Sequence, residues 1–305
     1  MRKLAGKRAL VTGAASGIGR EIALRLAREH VDLYLLDFNQ EGLQDVVDEV
    51  AELGVEVEAH VCDLRNQDEV EGAAEFAIDY WAGVDILVNN AGVTYYGITH
   101  LMPPEECHNL LATNLVSGIT LTQRLLPWML ARPQSHVLNV CSVLGLVGLP
   151  RVALYCTTKF AMVGYSEALR AEYGRQGLGV TALCPGFVRT NLFSSARPMA
   201  EGAEPRTPPS FMCAKPECVA RRAVRAIERN QRRVVLEPFA RLAYGVKSMA
   251  PGLLDWALRL GEQKKIAGKR QRLAELSSDP TEALRLAVGN QAMPRAYEPP
   301  ASRAA

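Results

Sequence analysis

Tyr155 and Lys159 stand four positions apart on a stretch whose apolar spacing predicts a helix over 152–176, so both side chains leave one face. A phenol titrates near ~10 and is a poor base at neutral pH, but an ammonium one turn away stabilises the phenolate and lowers that value. Such a pair can exchange a proton with a substrate hydroxyl. The same spacing also describes a solvated helix pair. Ser142 closes a predicted strand over 135–141, thirteen residues before Tyr155, at the kind of strand end where open α/β sheets bind ligands. Asn114 falls in the middle of a predicted helix over 104–131, a position that disfavours asparagine, so it either faces water or has a polar task. Taken singly, Ser142 and Asn114 read equally well as a cap or a surface group.

A second group of residues concerns phosphate. Thr12-Gly13-Ala14-Ala15-Ser16-Gly17-Ile18-Gly19 lies between a predicted strand over 8–11 and a predicted helix over 18–29. A dinucleotide's pyrophosphate needs backbone N–H groups at a helix N-terminus and no Cβ in the way. Gly13 would permit the sharp turn, Gly17 the approach of the phosphates, and Gly19 close packing of helix on sheet. The spacing is GxxxGxG and not GxGxxG, so the strand–helix context carries the reading. Asp37 ends the next predicted strand, 31–36, eighteen residues after Gly19. A carboxylate there accepts hydrogen bonds from the adenosine ribose and repels a 2′-phosphate. No basic residue stands in place of Ser16 or Phe38, which favours NAD over NADP. The alternative for Asp37 is a strand-end cap. Asp63, after the third strand, is a second candidate, at the adenine.

The elements that must position these groups alternate. Predicted strands over 8–11, 31–36, 55–61, 84–88, 135–141, 178–184 and 233–236 are separated by predicted helices over 18–29, 41–53, 66–81, 104–131, 152–176 and 216–230. That rhythm predicts βαβ units: a doubly wound, mostly parallel sheet with helices on both faces. The expected organisation is one dinucleotide-binding and catalytic domain over 1–240 and a C-terminal helical extension over 241–305. Within the domain, a Pro-, Ala-, Ser- and Glu-rich loop over 191–215 lies just after a strand end. The extension opens with an amphipathic run at Leu253, Leu254, Trp256, Ala257, Leu258 and Leu260, then a basic cluster at Lys264, Lys265, Lys269, Arg270 and Arg272. From about Ala292 it has no periodicity and is expected to be disordered.

Composition narrows the classes. The chain has 305 residues, 48% of them apolar, and a net charge of +2, an ordinary balance that gives no reason to expect a nucleic-acid partner. Its seven cysteines are odd in number and show no CxxC spacing, so they read as reduced small hydrophobes, with no metal expected. Cys213 and Cys218 could meet across a loop, but no second feature points to a bridge. The N-terminus does not read as a signal peptide, no run of 18 apolar residues occurs, and a cytoplasmic setting is expected.

The ordered set TGAASGIG (12–19), CDL (62–64), NNAG (89–92), Asn114, Ser142, YCTTK (155–159) and PGFVRT (185–190) resembles the short-chain dehydrogenases/reductases over roughly residues 5–240. The resemblance implies a single seven-stranded Rossmann-type domain and hydride transfer between a nicotinamide cofactor and a carbinol carbon. It implies Tyr155 as acid/base, Lys159 on the nicotinamide ribose and lowering the tyrosine pKa, Ser142 on the substrate oxygen, and Asn114 holding a relay water. Gly13, Ser16, Gly17, Ile18, Gly19 and Asp37 would hold the adenosine diphosphate. Asp63 and Leu64 would contact adenine, and Asn90, Ala91 and Gly92 would support the cofactor. Pro185, Gly186, Val188 and Thr190 would meet the nicotinamide carboxamide. A homodimer or homotetramer built on the helices around 104–131 and 152–176 is implied as well.

The substrate is expected to be a hydrophobic alcohol or ketone, such as a steroid, retinoid or long-chain aliphatic. The segment Val143–Pro150 is almost wholly apolar, and Val93–Tyr96, Phe193, Phe211 and Met212 would join it. Two other functions stay open: a nucleotide-binding regulatory protein without turnover, and an NADP-dependent reductase. The extension reads either as a packing helix or as a peripheral membrane contact, with Trp256 and the leucines dipping in and the basic cluster meeting anionic lipid.

Overall fold

Short runs of branched apolar residues build the sheet: β1 (Arg8–Thr12), β2 (Asp32–Asp37), β3 (Val57–Val61), β4 (Ile86–Asn89), β5 (Ser135–Val140), β6 (Leu178–Cys184) and β7 (Arg233–Val235). In this computed structural model the described residues are 1, 3–97, 99–190, 213–253, 256 and 259. Expectations for Phe193, Phe211, Met212, Leu254, Ala257, Leu258, Leu260, the 264–272 basic cluster and the tail lie outside them. The strands form one sheet in the order β3-β2-β1-β4-β5-β6-β7, and every pairing is parallel. Every residue of β4, β5 and β6 is buried, as a parallel strand covered on both faces requires, whereas edge strand β3 is half-buried to exposed.

Helices cover both faces. One apolar layer holds α1 (Gly17–Ala27), α2 (Gln40–Ala51) and α7 (Pro216–Glu228). In α7, Val219, Ala220, Ala223, Val224 and Ile227 recur at helical spacing and form the buried face toward α1. The other layer holds α3 (Gln67–Trp81), α5 (Ser117–Leu130) and α6 (Ala153–Tyr173). The chain runs from β1 outward to β3, then crosses back to β4 on the other side of β1. That reversal opens a crevice at the carboxyl ends of β1 and β4.

The helix expected over 104–131 is instead three pieces: α4 (Pro104–Leu111), a π-helical turn (Ala112–Val116) and α5. The wider turn carries Asn114 inward, so it is buried and does not face water. The next expected helix ends at Tyr173, followed by a 3-10 turn before Gly177, whose φ of +92° suits only glycine. After β7, α8 (Pro238–Met249) buries Ala240 within the compact unit Met1–Met249. Ala250–Ala305 form a second unit, in which Leu253 and Trp256 are exposed.

None of the seven cysteines is in a disulfide, and Cys62, Cys141, Cys156 and Cys184 are buried. Among the described residues, no cluster of His, Cys, Asp and Glu could hold a metal ion. Nor is any helix among them long and apolar enough to cross a membrane.

Candidate active site

A cavity of about 610 Å³ runs along the carboxyl ends of the strands. Gly13, Ser16, Gly17, Ile18 and Asp37 line it at β1 and β2, and Asp63 and Leu64 beyond β3. Asn90, Ala91 and Gly92 line it after β4, Ser142 after β5, Tyr155 and Lys159 from α6, and Pro185, Gly186, Val188 and Thr190 after β6. The lining thus gathers every catalytic and cofactor-binding residue expected from the sequence except Gly19 and Asn114.

The glycine loop is built for close approach. Gly13 has φ +65°, and a Cβ there would lie 2.9 Å from the Cα of Ala91. Gly17 has φ +56°. A Cβ on Gly19 would meet the Gly13 carbonyl oxygen at 2.0 Å, so Gly19 serves the packing of α1 on the loop. Asn90 fastens the same loop: its Nδ2 donates to the carbonyls of Thr12 (2.9 Å) and Gly13 (3.1 Å). The Thr12 hydroxyl in turn accepts from the N–H groups of Asn90 and Ala91. Ser16 is the N-cap of α1 but makes no side-chain bond to the helix. The first N–H groups of α1 therefore lack a side-chain cap beside a bare glycine turn, an arrangement that fits a pyrophosphate.

Asp37 caps the local backbone at the edge of the cavity. Its carboxylate lines the cavity, and it also accepts from the N–H groups of Ala15 (2.9 Å) and Asn39 (3.0 Å). Asp63 is more committed than expected. Arg65 grips it at 2.6 Å, and that guanidinium holds its carboxyl below the usual carboxylate range. Arg65 itself lines the cavity, as do Glu105, Glu106 and Asn109 of α4. Sequence reasoning missed these four, because no motif marks them and only the fold brings α4 across from β3.

At the other end, Tyr155 and Ser142 meet. The phenol is buried, and burial pushes its pKa well above the ordinary value, with the nearby Ser142 hydroxyl pulling the other way; that hydroxyl accepts from Leu144 N at 3.1 Å. Burial also lowers the pKa of Lys159, against the opposing pull of the Cys141 and Cys184 thiols. Desolvation dominates, and the ammonium lies 5.7 Å from the ring centre. The strand ends behind these groups are tied by amides: Asn89 Nδ2 donates to Asn139 Oδ1 at 2.9 Å, and Asn139 Nδ2 to the Ser166 hydroxyl at 2.8 Å.

Asn114 reaches out of the π turn to Val93. Its Oδ1 accepts from Val93 N at 2.7 Å, and its Nδ2 donates to Val93 O at 2.8 Å and to the Thr158 hydroxyl at 3.2 Å. A separate cavity of about 10 Å³, room for about one water, is lined by Asn114, Ser117, Thr12 and Lys159 among others. The apolar substrate segment is only partly where it was expected. Of Val143–Pro150, Val143 and Leu144 line the large cavity, joined by Val93, Thr94, Tyr95 and Phe187.

The chain is similar to known proteins in sequence and in fold. The family model of short chain dehydrogenases matches residues 7–201. The oxidoreductase UcpA of Escherichia coli K12 is 37% identical over 213 residues, 70% of this chain and 80% of that protein. Human 17-beta-hydroxysteroid dehydrogenase 13 is 34% identical over 192 residues, 62% of this chain and 64% of that protein. The crystal structure of a short chain dehydrogenase/reductase from Burkholderia phymatum in complex with NAD has a TM-score of 0.74 at 25% identity, covering 83% of this chain and 96% of that one. An alcohol dehydrogenase from Thermococcus sibiricus complexed with 5-hydroxy-NADP has a TM-score of 0.66 at 26% identity, covering 75% and 95%. With its sheet order, glycine cradle and Ser142–Tyr155–Lys159 cluster, the chain belongs to the short-chain dehydrogenase/reductase family of nicotinamide-dependent oxidoreductases.

Proposed function

We propose that the protein interconverts a primary or secondary alcohol and its carbonyl, with NAD preferred and a hydrophobic substrate. The observation that carries this is that Ser142, Tyr155 and Lys159 line one end of a dinucleotide-sized cavity that Asp37 lines at the other. A bound nicotinamide would supply or accept the hydride. Tyr155 takes the hydroxyl proton during oxidation and returns it during reduction. The Ser142 hydroxyl grips the same oxygen. Lys159 holds the nicotinamide ribose, and the water-sized cavity beside Asn114 gives its ammonium a proton route. Val143, Leu144, Tyr95 and Phe187 favour an apolar substrate body, such as a steroid, retinoid or long aliphatic chain.

A reading with NADP has one observation in its favour: Arg65 brings a cation to the adenosine end. Exposed Val116, Trp128 and Phe160, on the π turn, α5 and α6, favour a homodimer or homotetramer. Exposed Leu253 and Trp256 favour a peripheral membrane contact. Purified protein assayed with NAD+ and NADP+ against lipophilic alcohols and polyols tests the main reading. Oxidation of polyols alone would remove the hydrophobic substrate, and turnover only with NADP+ would remove the NAD preference.

A further inference from the structure

The turn Pro185-Gly186-Phe187-Val188 walls the cavity after β6, and it is held from behind by residues that follow the last strand. The N–H of Gly186 donates to Oε2 of Glu237 at 2.5 Å. Phe187 stacks on Phe239, with ring centres 6.0 Å apart and planes at 14°. On its other side the turn is tied to the catalytic strand end, where Val143 N donates to Pro185 O at 2.8 Å. A Cβ on Gly186 would stand 2.8 Å from both Glu237 Oε2 and Phe239 Cζ, so only glycine lets the carboxylate and the ring reach the backbone.

Glu237 is an expensive choice for that place. Burial pushes its carboxyl above the ordinary range, opposed by the Gly186 N–H and by Arg241 one turn along α8. Its other oxygen, Oε1, is buried with no hydrogen-bond partner among the described residues. An apolar side chain would avoid that desolvation cost, so packing alone does not account for an acceptor oxygen here.

We propose that Glu237 and Phe239 are positioning residues that fix the Pro185–Val188 turn where its backbone meets the nicotinamide end of the cofactor. This rests on the reading of the cavity as a dinucleotide site. The turn follows β6, whereas the glycine loop and Asp37 follow β1 and β2, so the bracket acts on one end of the ligand only.

That separation supplies the test. Wild type, Glu237→Ala, Glu237→Gln and Phe239→Leu are titrated calorimetrically with NAD+ or NADP+, whichever wild type binds tighter. Each is also titrated with the matching nicotinamide-free fragment, ADP-ribose or its 2′-phosphate. Unfolding midpoints are recorded alongside. Glu237→Ala should weaken the full cofactor about tenfold and the fragment less than about twofold, the loss expected from one charge-assisted hydrogen bond. Glu237→Gln keeps an acceptor and should stay within about threefold of wild type. Phe239→Leu should lose cofactor affinity selectively as well, and it decides the matter if Glu237→Ala does not fold. Equal losses on both ligands, a Glu237→Gln protein as weak as Glu237→Ala, or wild-type affinity in both Glu237→Ala and Phe239→Leu would overturn the proposal while leaving the cofactor reading intact. A wild type that binds neither cofactor would overturn both.

Discussion

The ammonium of Lys159 gives its hydrogen bond to the carbonyl of Val140 at 3.0 Å while lying 5.7 Å from the ring centre of Tyr155. This pins the catalytic helix to β5 two residues before Ser142. Two glycines make the approach possible. A Cβ on Gly92 would come within 3.3 Å of the lysine Nζ, and one on Gly145 within 2.6 Å of its backbone oxygen. The ammonium is thus set by a backbone contact, and burial is the largest influence on how the phenol and the ammonium titrate.

That burial has a consequence for rate against pH. In the proposed reaction alcohol oxidation needs the phenolate, and burial holds the Tyr155 pKa above its ordinary value. In the free enzyme, kcat/KM for oxidation should keep rising with pH through neutrality, while carbonyl reduction, which uses the protonated phenol, stays flat there. A pH profile in both directions checks this. An oxidation rate already level below pH ~6 would show that the phenol titrates far lower than its burial allows.

Gly145→Ala should be costly. The added methyl meets the Lys159 carbonyl, and the turn after Ser142 has to move. A loss of about 1–3 kcal/mol in stability, with a fall in turnover, is expected. Gly148→Ala, three residues on, has nothing within 4 Å of its new Cβ and should be close to neutral. Denaturant midpoints of the two variants give the comparison, and equal midpoints would contradict the packing described.

His136 sets an acid limit on stability. It is fully buried on β5 with Nε2 2.9 Å from the Thr181 hydroxyl, and desolvation pulls its pKa down to about 3. The unfolded chain takes up a proton near ~6.5 that the folded chain refuses, so this contribution is complete above that pH and is lost as pH falls toward 3. Between pH 7 and 5 the loss should be about 2 kcal/mol. Urea titrations of wild type and His136→Gln at the two pH values test it, and the variant should lack this part of the slope.

Much of this was legible beforehand because it is local. The strands announce themselves as branched apolar runs, and Gly13, Gly17, Tyr155 and Lys159 lie in short motifs whose spacing is the geometry. What was hidden depends on distant pairing. Glu237 bonds Gly186 across 51 positions, and no spacing signals it. Arg65 sits two residues from Asp63, yet its grip on the carboxylate depends on the local turn. The π turn at Asn114 was invisible because one inserted residue leaves apolar periodicity nearly unchanged. An asparagine in mid-helix was the available hint.

Asp37 should control the choice of cofactor. Asp37→Asn keeps an acceptor for Ala15 N but removes the charge that would oppose a 2′-phosphate. The ratio of kcat/KM with NAD+ to that with NADP+ should fall by about tenfold or more. An unchanged ratio would mean that discrimination lies elsewhere at the adenosine end, with Arg65 the first residue to examine.

The most direct measurement compares wild type with Tyr155→Phe on one alcohol that wild type oxidises, following reduced-cofactor formation and, separately, cofactor binding. Tyr155→Phe should bind the cofactor within about threefold of wild type and lose about a hundredfold or more in kcat. Wild-type turnover in Tyr155→Phe would contradict the assignment of this phenol as the group that moves the proton.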